Sequence, residues 1–151
     1  MVSLAEVTED NYLAVCRLEV TEEQSGFVAA PSRILASAYA MRDRNARVWA
    51  ILADETIVGV AMVKDLFEEP ACYTIEQLLV DRRFQNMGYG STALRQVIAL
   101  LAAERRFEAI EICVKMEDIY AVRMYLDAGF FDTGYIDPAA PDSYCIRYEF
   151  G

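Results

Sequence analysis

The sequence predicts one α+β domain (mixed α/β), with a central, mostly antiparallel, twisted sheet of about seven strands flanked by four helices. Three observations predict it. Strand-like and helix-like segments follow one another in the order β-α-α-β-β-β-α-β-α-β-β. The turn Asp54-Glu55 joins two strand-like segments as a hairpin. The stretch from Tyr73 to Ala103 consists of a strand, a glycine-containing turn and an amphipathic helix, and we assign residues 1–151 to this single domain.

The N-terminal half is expected to supply a strand, two helices and the hairpin. Thr8 is the expected N-cap of the first helix. Pro31 or Ser32 begins the second helix, because proline suits the first helical position. Gly59, inside the second hairpin strand, indicates a bulge or a close contact. The expected elements are a strand over 3–7, helices over 12–18 and 31–44, strands over 47–53 and 56–63, and a loop over 65–71.

The C-terminal half contains the strand–turn–helix stretch and four further elements. Leu94, Val97, Ile98 and Leu101 recur at the spacing of one buried helix face. Gly129 is expected to end the last helix as its C-terminal cap. The expected elements are a strand over 72–80, a helix over 88–105, a strand over 110–114, a helix over 118–128, and strands over 130–136 and 144–150.

Composition and charge limit the possible functions. The formal net charge of −10 argues against a nucleic-acid partner, which requires a basic surface. It suits a cationic small substrate, although acidity for solubility alone is the alternative. The chain has no histidine, which excludes histidine-based triads and H-E-x-x-H zinc sites. The four scattered cysteines favour buried free thiols over disulfide or catalytic use.

Hydropathy bears on localisation. No stretch of about 18 apolar residues is free of charge, so we expect no membrane span and no membrane partner. The segment from Met1 to Val7 lacks the basic and apolar regions of a secretory signal. The expected location is therefore the cytoplasm.

The turn Gly88-Tyr89-Gly90-Ser91 is the first candidate for chemistry. The first turn of a helix carries unpaired N–H groups and a partial positive charge. Two glycines there remove side chains that would keep an anion away, so the turn suits a phosphate or pyrophosphate. A purely steric role for the glycines is the alternative.

The same residues also fit a dinucleotide fingerprint. Gly88 to Ala93 matches G-x-G-x-x-A, and Glu111 lies about 20 residues downstream. We reject this interpretation because the polar stretch from Asp81 to Met87 separates the strand from the first glycine. Glu111 also lies within a strand-like run rather than at its end.

Two motifs together resemble the GNAT superfamily of acetyl-CoA-dependent N-acetyltransferases. Gln85, Gly88 and Gly90 fit its Q-x-x-G-x-G motif. The segment Asp118–Phe130 is similar to its second signature, N-x-x-A-x-x-L-Y-x-x-x-G-F. Both occur in the family's order and at its spacing, and the predicted element order matches the GNAT fold. Short N-terminal pieces also resemble the BltD-type spermine/spermidine acetyltransferases, namely Leu18-Glu19-Val20, Glu23-Gln24, Phe27-Val28-Ala29 and Ala38-Tyr39-Ala40.

The resemblance implies acetyl-CoA as the cosubstrate and no metal. In the family the turn contacts the pyrophosphate, and the preceding strand lies along the pantetheine. The backbone of Val80 would then face and polarise the acetyl carbonyl. The implied cofactor-binding residues are Leu78, Leu79, Val80, Gln85, Asn86, Met87, Gly88, Tyr89, Gly90, Ser91 and Asp118.

Acetylation of an amine also requires a base. A primary amine with a pKa of about 10.4 lies about 3.4 units from neutrality at pH 7, or roughly 4.6 kcal/mol. Glu76, an acid inside an apolar strand, is the candidate, because burial would strengthen it as a base and a glutamate occupies the matching place in polyamine-acetylating relatives. The alternative is a Glu76 that faces solvent or pairs with a basic residue such as Arg82.

The departing thiolate requires an acid, and Tyr125 is the candidate. A phenol of pKa about 10 can donate to a thiolate whose conjugate acid is near 8.5. With nine tyrosines in the chain, a plain core aromatic is the alternative. Asp118 departs from the family's asparagine, and a carboxylate accepts hydrogen bonds but cannot donate them. It is expected to serve as a helix N-cap instead, which puts its cofactor contact in doubt.

The predicted function is transfer of acetyl from acetyl-CoA to a primary amine by direct attack in a ternary complex. A polyamine is the expected acceptor, with Glu22, Glu23 and Glu76 as expected substrate-binding residues. Other acceptors, namely a protein N-terminus, an amino acid or an aminoglycoside, stay open. So do a non-catalytic acyl-CoA-binding module and a small interaction domain. The family resemblance also makes a homodimer possible.

Overall fold

A computed structural model describes residues 1–151 and confirms the mixed α+β fold. Seven strands and four helices follow in the expected order. Their bounds are β1 Val2–Glu6, α1 Tyr12–Cys16, α2 Pro31–Ala40, β2 Arg47–Ala53, β3 Thr56–Leu66, β4 Cys72–Val80, α3 Tyr89–Glu104, β5 Ala109–Lys115, α4 Ile119–Asp127, β6 Phe131–Asp132 and β7 Ser143–Glu149.

The seven strands form one sheet in the order β1-β2-β3-β4-β5-β7-β6. Every neighbouring pair is antiparallel except β4 and β5, which run parallel. The long helix α3 provides the crossover that a parallel pair requires. The sheet is therefore mostly antiparallel, as the sequence predicts.

Helices cover both faces of the sheet. On one face α3 and α4 pack over a core that includes Leu94, Val97 and Leu101, all fully buried, so the predicted helix face is confirmed. On the other face α1 and α2 pack over β2 and β3 around Val15 and Ile34. Because α1 and α2 stop there, the same face of β5 and β7 lacks a helical cover.

The helix bounds near the N-terminus differ from the prediction. Thr8 is not the N-cap: α1 begins after Asn11, and the Thr8 hydroxyl instead accepts from the Asp10 amide at 3.2 Å. The second helix ends at Ala40, and a short 3₁₀ turn over 42–44 replaces its expected last turn. Asn45, with φ +55°, then turns the chain into β2.

Two strand bounds were also wrong. β3 continues through Asp65, which was expected in a loop, because Arg106 and Arg47 form ion pairs with this buried carboxylate. β6 is only two residues long. Beyond it Asp132 Oδ1 accepts from the Gly134 amide at 2.9 Å, and Gly134 takes a φ of +79°, which breaks the extended backbone.

The cysteines are all free, but Cys72 is the only one that is buried. The expectation of buried thiols is therefore wrong for the others. Cys113 is exposed because it alternates with the buried Ile112 and Val114 along β5 and so points to the face that α1 and α2 do not cover.

Gly59 combines both features that its place in a strand suggested. Ile51 pairs with Gly59 while Leu52 pairs with Ile57, so Val58 is an extra, bulged residue. A Cβ on Gly59 would lie 2.3 Å from the backbone oxygen of Leu79. The glycine therefore allows β3 and β4 to approach closely.

We expect Gly59→Ala to destabilise the protein by about 1–3 kcal/mol, because the backbone of β4 cannot give way without disturbing the ladder. Gly26→Ala is the matched control, since nothing lies within 4 Å of its added Cβ. Urea unfolding measures both variants. Equal urea midpoints for Gly59→Ala and Gly26→Ala would show that β3 and β4 tolerate the extra methyl group.

Candidate active site

β4 and β5 diverge at the centre of the sheet. Their register contains the single pair Tyr73 and Ile110. Beyond it β4 stays with β3 as far as Val80, whereas β5 stays with β7 as far as Lys115. A wedge therefore opens between the two strands toward their C-terminal ends, and two adjoining cavities border it.

The first cavity, here called the outer cavity, has a volume of about 640 Å³. Four segments surround it: the end of β4, the turn into α3, the start of α4 and the loop that joins α1 to α2. The volume is that of a typical small-molecule site. Its walls include most of the predicted cofactor residues, namely Leu78, Leu79, Val80, Gln85, Asn86, Gly88, Tyr89, Gly90, Ser91 and Asp118.

The second cavity, here called the inner cleft, has a volume of about 220 Å³ and lies between β4 and β5. Glu76 and Tyr125, the two predicted catalytic residues, both line it. Phe27, Val28 and Leu78 border both cavities, so the inner cleft and the outer cavity adjoin. Phe27 and Val28 were not predicted as site residues, and their signal was an apolar pair within a polar loop.

The turn into α3 presents free amides to the outer cavity. Gly88, at φ +81°, precedes the helix, and no side chain caps the helix there. The amides of Tyr89, Gly90 and Ser91 belong to the first turn of the helix, which has no intrahelical acceptors for them. A Cβ on Gly90 would contact Met124 Sδ at 3.4 Å, in ordinary packing. Its absence therefore leaves space open between the walls of the outer cavity.

Val80 presents a backbone amide to the wedge. The next amide, that of Asp81, donates to the Val58 carbonyl of β3 at 2.7 Å. Because successive amides of a strand point to opposite edges, the Val80 N–H points toward the side where β5 has diverged. The Val80 carbonyl already accepts from Gln85 Nε2 at 3.0 Å. This geometry suits the donor role that the sequence predicts for the Val80 backbone.

Tyr125 has a buried side chain with an unpartnered hydroxyl. The residue is 6% exposed, and no protein group makes a hydrogen bond to its phenol. Burial, helped by the negative charge of Asp118, raises the pKa of Tyr125 well above its ordinary value. The phenol is therefore protonated throughout the physiological range. Asp118 Oδ1 accepts from the Ala121 amide at 3.3 Å, which confirms the predicted N-cap.

Glu76 is the extra residue of a bulge in β4, because Met62 pairs with Gln77 while Val63 pairs with Ile75. It is half-buried rather than enclosed in the apolar strand, with 33% of its side chain exposed. The partner weighed for it, Arg82, pairs with Glu19 instead. Glu76 Oε2 lies 3.3 Å from Lys64 Nζ, a contact that the sequence did not indicate.

Three predicted residues lie apart from this arrangement or at its edge. Met87 is 59% exposed and lines neither cavity. Glu22 also lies outside both cavities, whereas Glu23 lines the outer one. Glu117, which was not predicted, adds a further carboxylate to the outer cavity.

Hydrogen bonds fasten the α1–α2 loop to β4 and to the segment between β4 and α3. Gln85 Nε2 donates to Gln24 Oε1 at 2.7 Å. Gln77 Oε1 accepts from the Ala29 amide at 3.1 Å. The motif glutamine thus makes its side-chain contacts with protein groups of the loop and of β4. This loop forms a wall shared by the two cavities.

Asp81 makes the third attachment of that loop. Its buried carboxylate accepts from the Glu19 amide at 2.9 Å and from the backbone and side chain of Arg83, each at 2.9 Å. Burial alone would raise the pKa of Asp81, but these hydrogen bonds hold it below its ordinary value. Asp81 was not predicted as a site residue, since a single acid at the end of a strand carries no distinctive signal.

We expect Asp81→Asn to destabilise the protein by about 1.5–3 kcal/mol at pH 7, because charge-assisted hydrogen bonds are lost. The ionised form stabilises the fold above the unfolded pKa of about 4, and this contribution is lost as the pH falls further. In urea unfolding, the difference in the free energy of unfolding between Asp81→Asn and the wild type should therefore become smaller below about pH 4. Asp10→Asn, at an exposed and unpaired carboxylate, is the control. If this difference in the free energy of unfolding did not change with pH, the charged hydrogen bonds would be excluded as its cause.

No helix of the structure is both long enough and apolar enough to cross a membrane.

Comparison with known proteins identifies the family. The sequence profile of the acetyltransferase (GNAT) family matches residues 10–130. A spermine/spermidine N(1)-acetyltransferase of Bacillus subtilis (strain 168) is 25% identical over 142 residues, which cover 90% of this chain and 91% of the relative. A probable spermine N(1)-acetyltransferase of Bacillus subtilis subsp. natto is 24% identical, with the same coverage of both chains.

Solved structures share the fold at low sequence identity. The aminoglycoside acetyltransferase AAC(6')-Ib in complex with coenzyme A superposes with a TM-score of 0.81 at 18% identity, over 99% of this chain and 95% of that one. The spermidine N-acetyltransferase of Vibrio cholerae, in complex with CoA and spermine, gives 0.72 at 13% identity, over 97% and 92%. Because the family profile spans most of the chain and includes both motifs, this protein belongs to the GNAT family and is an acetyltransferase.

Proposed function

We propose that this enzyme transfers an acetyl group from acetyl-CoA to a primary amine, by direct attack in a ternary complex. The observation that carries the proposal is the inner cleft, where a protonated, unpartnered phenol and a carboxylate border one space. That space adjoins a larger cavity beside the free amides of a helix N-terminus. Together these would supply an acid, a base and an anion site in two adjoining cavities.

The residues present fit coenzyme A. The amides of Tyr89, Gly90 and Ser91 would bind the pyrophosphate at the positive end of α3. The wedge beyond Tyr73 would admit the extended pantetheine, which would take the place of the missing β4–β5 ladder. The Val80 N–H would then donate to the acetyl oxygen, where negative charge develops during attack.

Glu76 and Tyr125 would move the protons. The amine must lose a proton before it attacks, and Glu76 would accept it directly or through water. Attack on the acetyl carbon forms the amide and releases the thiolate of CoA. Tyr125 would donate its proton to that thiolate, and its raised pKa keeps the donor protonated until then. No metal is needed in this scheme.

A polyamine is the proposed acceptor. The two named Bacillus subtilis relatives support it, as does the carboxylate of Glu23 on the outer cavity wall together with Glu117. A net charge of −10 would also attract a polycation. Glu22 lines neither cavity, so its expected role would be limited to long-range attraction.

The test incubates the enzyme with acetyl-CoA and a panel of spermidine, spermine, kanamycin, lysine and a short peptide, and measures acetylated products by mass spectrometry. We expect acetylated polyamine and a stoichiometric amount of free CoA. Faster acetylation of kanamycin or the peptide would reassign the acceptor. Calorimetric CoA binding without any product would identify a non-catalytic acyl-CoA-binding module, and no binding would favour an interaction domain.

A further inference from the structure

Two thiols meet on the sheet face that the helices leave uncovered. Cys113 of β5 and Cys145 of β7 are direct partners in the antiparallel register, and their sulfur atoms lie 3.5 Å apart. The two remaining thiols have other surroundings: Cys72 is buried in β4 and Cys16 lies on α1. The juxtaposition of Cys113 and Cys145 has no role in the proposed transfer of acetyl.

The backbone geometry at this pair suits a covalent bond between the sulfurs. The Cys145 carbonyl accepts from the Thr133 amide at 3.0 Å, so the polar groups of Cys145 point toward β6 rather than β5. Cys113 and Cys145 are therefore a non-hydrogen-bonded pair, in which Cα atoms lie about 4.5 Å apart. Disulfides span Cα separations of about 4.4–6.8 Å. Rotation of the side chains can therefore close the bond without moving either strand.

We propose that Cys113 and Cys145 form a thiol-oxidation site, which a two-electron oxidant such as a peroxide closes to a reversible disulfide. One thiol loses its proton, and the thiolate attacks the peroxide, which breaks the O–O bond and gives a sulfenic acid and hydroxide; the hydroxide takes up the proton as water. The second thiol then attacks that sulfur, which forms the S–S bond and releases a second water. Two thiols are oxidised and one peroxide is reduced, so atoms and electrons balance.

The site borders the proposed active site. Cys113 lines the inner cleft together with Glu76 and Tyr125, whereas Cys145 does not. Closure would draw the Cys113 sulfur toward β7 and away from the cleft. The cross-link would also enclose the whole of α4, which carries Tyr125, in the loop between the two cysteines. Oxidation should therefore change a wall of the cleft as well as the stability of the fold.

Reaction should be slow at neutral pH and accelerate in alkali. Although Cys113 is exposed as a residue, desolvation by the protein around its thiol, together with the neighbouring Cys145, raises the pKa of Cys113 to about 12. Because the thiolate is the reactive form, the rate of closure should rise steeply, up to roughly tenfold per pH unit, between pH 7 and 8.

The test treats the reduced, full-length protein with hydrogen peroxide and follows intact mass, thermal unfolding and peptide maps. We expect a loss of two hydrogen atoms, a peptide pair linked through Cys113 and Cys145, and a rise in Tm of about 3–10 °C. Dithiothreitol should reverse all three changes. These readouts do not involve acetyl transfer, so they can fail or succeed separately from the proposed function.

Variants locate the reaction. Cys113→Ser and Cys145→Ser should each abolish the mass loss and the rise in Tm, whereas Cys16→Ser should retain both. If acetyl transfer is found, the oxidised enzyme should show at least a threefold change in KM for the amine, because Cys113 borders the cleft. No mass loss, or a cross-link that involves Cys16 or Cys72, would overturn the proposal.

Discussion

Replacing Tyr125 with phenylalanine is expected to lower kcat for acetyl transfer about 10²- to 10⁴-fold, the usual contribution of a positioned proton donor. The phenyl ring would keep its edge contact with Phe130, whose ring centroid lies 5.3 Å away. The hydroxyl makes no hydrogen bond within the protein, so its removal leaves no partner unsatisfied. The loss should therefore appear in the rate and not in the stability of the fold.

Steady-state kinetics measures kcat of the variant, and thermal unfolding measures its Tm. Tyr120→Phe is the matched control, because Tyr120 belongs to the same helix, lines the outer cavity and is 78% exposed. It should keep its rate within about twofold. A Tyr125→Phe enzyme with unchanged kcat would show that Tyr125 is a core aromatic and that water protonates the thiolate.

Replacing Glu76 with glutamine is expected to cost about 10²–10⁴ in kcat/KM for the amine at pH 7, because an amide cannot accept the proton. The side chain keeps its size, so the bulge in β4 should persist. The ion pair with Lys64, whose side chain is only 14% exposed, would be lost, so thermal unfolding of the variant accompanies the kinetics. An unchanged Tm would show that a change in rate is not a folding defect.

The pH dependence identifies the role of Glu76. Without a base, only amine that is already neutral can attack, and that fraction rises about tenfold per pH unit below an amine pKa of about 10.4. The kcat/KM of Glu76→Gln should therefore rise about tenfold per pH unit between pH 7 and 9. The kcat/KM of the wild type should rise less over the same range. Glu117→Gln removes a carboxylate from the outer cavity alone, so it should lower kcat/KM for a polyamine without changing the shape of the pH profile. If kcat/KM of the wild type and of Glu76→Gln changed in parallel with pH, Glu76 would be excluded as the base.

Local patterns in the sequence could predict most of the fold. The runs of apolar, β-favouring residues in β2 and β4, and the helical spacing in α3, require no knowledge of distant contacts, and those elements begin and end within about a residue of their expected positions. The same holds for Asp118 as an N-cap and Gly88 before α3, since both depend on groups three or four residues away. A distant partner decided one error, since Arg106 allowed Asp65 to extend β3. The errors at Thr8 and at β6 arose from hydrogen bonds between residues two positions apart, which the apolar pattern does not show.

The sequence by itself determined the element order, the turn that can hold an anion, and the pair of motifs that include Tyr125. Only the tertiary structure decided that β4 and β5 diverge after one pair, that Lys64 meets Glu76, and that Cys113 faces Cys145. Each of these depends on strand register. A bulge or a shift of one residue changes which side chains share a face, and no local pattern encodes the partner strand.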